Sequence, residues 1–206
     1  MYFLSLLQNP LMVVFFLVIL VITVSIHEFA HAWAADKLGD PTPSLAGRLT
    51  LNPAAHLDPI GSIMFLLIGF GWGKPVPFDP YNLRDPKRDA AIISLAGPAS
   101  NLALAAAAAL ILRFGVDGGI IAGILETTIH LNVVLAVFNL LPVAPLDGFK
   151  IVGGLLSDEQ AREWYSLERY GIIFLIFLLV PFTGGRSMLE IFVVPIIQNI
   201  TNILIP

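Results

Sequence analysis

The chain has 206 residues, a mean hydropathy of +0.85 and only 13% charged residues, well below the charged share of an ordinary soluble domain. That composition excludes a water-soluble globular enzyme, and a net charge of −4 without a basic stripe excludes a nucleic-acid partner. With no cysteine, neither a disulfide nor a thiolate metal site can form, so any metal must be held by His and carboxylate.

Met1 to Ile26 carries no Asp, Glu, Lys or Arg. Pro10 to about Asp36 is expected as the first spanning helix, long enough for the ~20 apolar residues that cross ~30 Å of hydrocarbon. It lacks a basic n-region and a small-residue cleavage site, so it is read as a retained helix and not a signal peptide. His27-Glu28-Phe29-Ala30-His31 lies in its last turns. Pro41-Thr42-Pro43 ends it, and Gly47 to Asn52 alternates polar with apolar like a short strand or extended loop. Ile60 to Gly73 is uncharged but short and rich in glycine, which predicts a re-entrant element, with Gly69-Phe70-Gly71 at its turn.

Ala90 to Leu112 is the second expected span. A third begins near Gly119 and runs to Leu141, where Pro142 and Pro145, followed by Asp147-Gly148, must break the helix. Asp158 to Arg169 mixes acid and base like an amphipathic surface helix, and Gly171 to Gly185 and Ile191 to Ile205 read as two further, shorter apolar helices. The expected fold is an all-α polytopic membrane protein with about five to six transmembrane helices and a short re-entrant or strand-like element after the first. It forms a single domain over residues 1–206, with a catalytic core of about 10–150 and additional helices over about 165–206. Nine of the 11 Lys and Arg fall in the connections within residues 37–88 and in the one after Asp147. The positive-inside rule then places the N-terminus outside and the HExxH near the cytoplasmic face of a multi-pass protein of the cell membrane.

Two imidazoles four residues apart on a helix leave nearly the same face, separated by ~6 Å of rise, so one metal ion can take both. A carboxylate beside the first His is within reach of a water on that metal; this is the zincin pattern, with His residues as ligands and Glu as general base. Chance produces such a pattern in a chain of this composition roughly 0.002 times. Burying three ionisable side chains in an apolar helix is costly without a function. A hydrolytic zinc needs a third protein ligand. His56, His130 and Asp147 are the remaining candidates; a helix crossing from outside to inside delivers Asp147 to the leaflet of His27 and His31, whereas His130 lies about two turns deeper than Asn139.

The chain resembles the site-2 protease family of intramembrane zinc metalloproteases. His27-Glu28-Phe29-Ala30-His31 is similar to that family's HExxH, and Asn139-x-x-Pro142-x-x-x-Leu146-Asp147-Gly148 is similar to its second signature. Leu95-Ala96-Gly97-Pro98-Ala99-Ser100-Asn101 resembles its glycine-proline-asparagine element, and Gly69-Phe70-Gly71 its re-entrant loop. The likeness covers roughly residues 10–150 and marks a short form without a PDZ domain. It implies His27, His31 and Asp147 as ligands of one Zn²⁺ per chain, Glu28 as catalytic base, and Asn139 as the residue that places the substrate backbone or stabilises the oxyanion. The implied activity is zinc metalloendopeptidase cleavage of transmembrane segments, for regulated intramembrane proteolysis or membrane peptide clearance. The implied partners are membrane-protein substrate helices and the lipid bilayer, with room for a homo-oligomer or an adaptor protein.

Blander readings compete at several positions. Asn101 and Gly97-Pro98 are expected as packing and helix-start devices. His56 is expected as a locally hydrogen-bonded loop histidine, with a ligand or ligand-supporting role as its rival. The alternative function is a metal transporter or a zinc-binding membrane protein without protease activity, which would spread its ligands along a pathway and need no Glu between paired His.

Overall fold

A computed structural model describes residues 10–68, 71–116 and 118–205. Helix α1 (Pro10–Lys37) starts at a proline, whose missing N–H costs nothing in a first turn, and ends with Lys37 against the negative pole of the helix. The chain then turns at Gly39, which has φ of +103°, into a single helical turn at Thr42–Leu45. Asp40, buried there, accepts hydrogen bonds from the Thr42 amide and hydroxyl, the Asp79 amide and the Asn82 side chain, tying this turn to the connection before the next long helix.

Gly47 to Asn52 forms no strand. Its alternation has another cause: Arg48 turns inward, and its guanidinium donates to the carbonyls of Ala55, Lys74 and Pro75. The antiparallel bridge lies just beyond, between Leu57 and Gly73, with the Lys74 amide donating to the His56 carbonyl at 2.7 Å. Between its two sides, α2 (Pro59–Ile68) rises for ten residues, about 15 Å, too short to cross ~30 Å of hydrocarbon. The chain comes back against it closely: a Cβ on Gly71 would sit 2.7 Å from the Phe65 Cβ. This is the expected re-entrant element; Gly69 and Phe70 of its turn lie outside the described residues.

Helix α3 (Pro86–Gly115) is capped by Asp85, whose side chain accepts from the Arg88 amide. It is longer than the Ala90–Leu112 span read from hydropathy, and Pro98 lies inside it and not at its start. After Gly118 and Gly119, both at positive φ, α4 (Gly119–Asn139) returns antiparallel. Ala105, Ala108, Ala109 and Leu112 of α3 meet Ala122, Ile129, Val133 and Val137 of α4 in the largest buried core cluster. Small side chains at this seam let two backbones approach where lipid offers no hydrophobic drive.

The double-proline break, with a cis Ala144–Pro145 bond, leads into α5 (Asp147–Leu155), and Asp147 is its first residue. Helix α6 (Asp158–Ser166) opens on a Ser157/Gln160 capping box, as the expected amphipathic surface helix, and holds α5 from behind: the Trp164 indole donates to the Phe149 carbonyl at 2.8 Å and stacks on the Phe149 ring. The two C-terminal apolar stretches become α7 (Gly171–Leu179), a hairpin of β1 (Pro181–Thr183) and β2 (Arg186–Ser187), and α8 (Val194–Leu204), which packs on the α3/α4 core. At nine and 11 residues, α7 and α8 are each shorter than a bilayer core requires. Among the described residues three helices, α1, α3 and α4, are long and apolar enough to cross a membrane.

Candidate metal centre

His27 and His31 point from one face of α1 toward α3, four residues apart, with their Nε2 atoms 3.0 Å apart. Antiparallel α4 brings Asp147 back to the same end of the bundle, placing its Oδ2 3.2 Å from His27 Nε2 and 3.3 Å from His31 Nε2. One donor atom from each residue falls within 4.8 Å of the others, and among the described residues this is the one group of three His or carboxylate side chains so placed. Both imidazoles are buried, at 5% and 8% exposure, and Asp147 Oδ2 is a buried atom without a hydrogen-bond partner.

The hydrogen bonds behind the rings decide what the cluster can hold. His31 Nδ1 lies 2.7 Å from the Ile93 carbonyl, which only accepts, so Nδ1 carries the proton and the neutral ring presents a bare Nε2. His27 Nδ1 lies 2.6 Å from Asn101 Oδ1. Lone pairs and a carboxylate therefore converge without a hydrogen between them, an arrangement costly in a buried site unless a cation joins it. The donor set, two imidazole nitrogens and one carboxylate oxygen, is that of a catalytic zinc with an open fourth position. Asp147 is the first residue of α5, where the positive pole of the helix favours its carboxylate form.

Close packing sets the cluster's floor. A Cβ on Gly97 of α3 would sit 2.6 Å from His27 Cε1 and closer still to the His31 ring, so glycine is required for α3 to pass beneath both imidazoles. Gly97 is thus a packing device, as read from the sequence, while Asn101 is more than that: it is the residue bonded to the His27 ring. Asn132 and Thr23, which continue that contact, escaped the sequence reading; uncharged polar side chains in the middle of apolar spans were the available signal.

Glu28 is half-buried on the turn between the two histidines, within electrostatic reach of His31. The Gly73 backbone passes beside it: a Cβ there would lie 3.5 Å from Glu28 Oε1. Asn139, half-buried in the last turn of α4, gives its Nδ2 to the Leu135 carbonyl. His56 is fully buried and bonds locally, its Nε2 2.7 Å from the Thr50 carbonyl, and neither it nor His130 belongs to the three-residue cluster.

Comparison with known proteins gives the family. The profile described as Peptidase family M50 matches residues 116–180. The "Putative zinc metalloprotease YwhC" of Bacillus subtilis is 39% identical over 186 residues, covering 85% of each chain. The chain belongs to the M50, or site-2 protease, family. The "Putative zinc metalloprotease Rip2" of Mycobacterium tuberculosis is 32% identical over 175 residues, 80% of this chain and 66% of that one. Rip2 of Mycolicibacterium smegmatis is 32% identical over 193 residues, 86% of this chain and 72% of that one. No solved structure shows significant similarity to the chain. An M50 member with three apolar spans is a membrane protein of the zinc metalloprotease class, and its His/His/Asp cluster is a site at which a metal can be held.

Proposed function

We propose that this M50 protein is an intramembrane endopeptidase that hydrolyses peptide bonds in the transmembrane segments of other membrane proteins, with one zinc ion per chain held by His27, His31 and Asp147. The observation that carries this reading is the convergence of two imidazole Nε2 atoms and one carboxylate oxygen within 3.0–3.3 Å at one end of a spanning bundle, beside Glu28. Zinc bound there would supply Lewis-acid activation of water and of the scissile carbonyl.

The remaining work falls to the chain. Glu28 takes the proton of the attacking water and passes it to the leaving amine. Asn139 orients the substrate backbone. A helical substrate has its carbonyls hydrogen-bonded and shielded, so it must unwind before attack; pairing an extended stretch with an exposed backbone edge achieves that. The Trp72 to Lys74 limb, bridged to Leu57 and running past Glu28, supplies such an edge. The basic connections cluster at the end that carries the site, which favours a cytoplasmic-facing active site in the cell membrane.

The test uses purified full-length protein and a helical transmembrane substrate. Glu28→Gln should abolish cleavage while zinc content stays near one per chain. A fully active Glu28→Gln variant would sink the proteolytic reading, and a His27→Ala variant with normal zinc occupancy would sink the coordination.

A further inference from the structure

Behind His27 runs a line of buried amides, and a backbone carbonyl gives it a direction. Asn132 on α4 places one amide atom 2.9 Å from the Thr128 carbonyl of its own helix. A carbonyl only accepts, so that atom is Nδ2, and Asn132 Oδ1 faces α3. There it lies 2.9 Å from the Asn101 amide, which must meet an acceptor with its own Nδ2. Asn101 Oδ1 is thereby turned toward His27 Nδ1, at 2.6 Å, and the proton between them has to belong to the imidazole. Thr23 of α1 closes the network by accepting from Asn132 Nδ2 at 3.1 Å. Asn101 and Asn132 are both 0% exposed and Thr23 is 1% exposed, so no bulk water can substitute for a missing partner.

We infer that Asn132, acting through Asn101, is a positioning residue that holds His27 in the Nδ1–H tautomer, so that its Nε2 lone pair faces His31 and Asp147. The opposite direction of the relay would put Asn101 Nδ2 against His27 and a proton on Nε2, pointing into the cluster 3.0–3.2 Å from its two partners, where a cation has to sit. His31 needs no such relay, because the Ile93 carbonyl fixes its tautomer directly. The two ligands on α1 are thus oriented by different means, one by a carbonyl of α3 and the other by side chains that reach through α3 to α4. This inference rests on the metal-binding part of the proposed function but is tested apart from it.

Full-length protein labelled with ¹⁵N-histidine, freed of metal in detergent, reports the tautomer of His27 from its ring nitrogen shifts, with His27→Gln used for assignment. The wild type should show Nδ1–H, and Asn132→Leu should lose that preference. Zinc affinity, measured by chelator competition, should fall about 10- to 100-fold in Asn132→Leu. Thr23→Val removes a member of the network that does not set its direction, so it should lower the melting temperature and leave zinc affinity within about two-fold, well short of that range. If Asn132→Leu does not fold, Asn101→Leu deletes the last link and should give the same two changes. An Nε2–H wild type, an unchanged His27 tautomer in the variants, or equal loss of affinity in Asn132→Leu and Thr23→Val overturns the relay. A wild type that shows the Nδ1–H tautomer but takes up no zinc instead defeats the proposed function and leaves the relay standing.

Discussion

Gly97 and His27 touch across the α1/α3 contact so closely that a single added carbon on Gly97 would lie 2.6 Å from the imidazole Cε1. Gly97→Ala must therefore push α3 away or turn both rings. The expected cost is about 1–3 kcal/mol of stability, the usual range for overpacking, with a larger loss of zinc uptake because both ligands move. Thermal unfolding and metal analysis of the purified variant check this; normal zinc content would show that the rings can yield.

Asp40 should make stability depend on acid in a predictable window. Burial would raise its carboxyl, but hydrogen bonds from Thr42, Asn82 and the Asp79 amide hold it below the usual carboxylate range. A depressed folded-state value stabilises the protein above the unfolded pKa of about 3.9, and this contribution fades as pH falls through the lower folded value. Asp40→Asn should cost about 2 kcal/mol at neutral pH, with the gap to the wild type narrowing below about pH 4. Denaturation followed against pH in both proteins measures it, and a constant gap would refute the assignment.

Arg48 is the clamp that holds the bridge beside Glu28. Its guanidinium reaches three backbone carbonyls, those of Ala55, Lys74 and Pro75, and a lysine ammonium cannot span that fork. Arg48→Lys should lower stability by about 1–2 kcal/mol, leave zinc content unchanged, and raise KM for a helical substrate more than it lowers kcat. Steady-state cleavage assays read the split; an unaltered KM would remove the Trp72 to Lys74 limb from substrate binding.

Much of this site was legible in the residues themselves. The HExxH spacing is a local property of one helix, and the break at Pro142 and Pro145 announces that Asp147 begins something new. The re-entrant segment was readable because the uncharged, glycine-rich stretch from Ile60 to Gly73 is too short to cross a bilayer. Of the two readings of Gly47 to Asn52, the extended loop holds and the strand does not, because alternation there serves one inward-turned arginine, and a two-residue period does not say what lies opposite. Pro98 was misplaced to a helix start for a related reason: proline marks a helix end in water, but a packed bundle tolerates it inside.

Hydropathy, proline placement and the four-residue His spacing determined, without any fold, that this chain crosses a membrane and carries two metal-type donors on one helical face. Tertiary structure added the distances that bring the Asp147 candidate to both rings, and it alone decided which atoms orient them. Asn101 meets His27 across 74 residues of sequence, and Thr23 meets Asn132 across 109. Periodicity reports only neighbours along one helix. The tautomer of a buried imidazole depends on which acceptor another helix happens to place behind it.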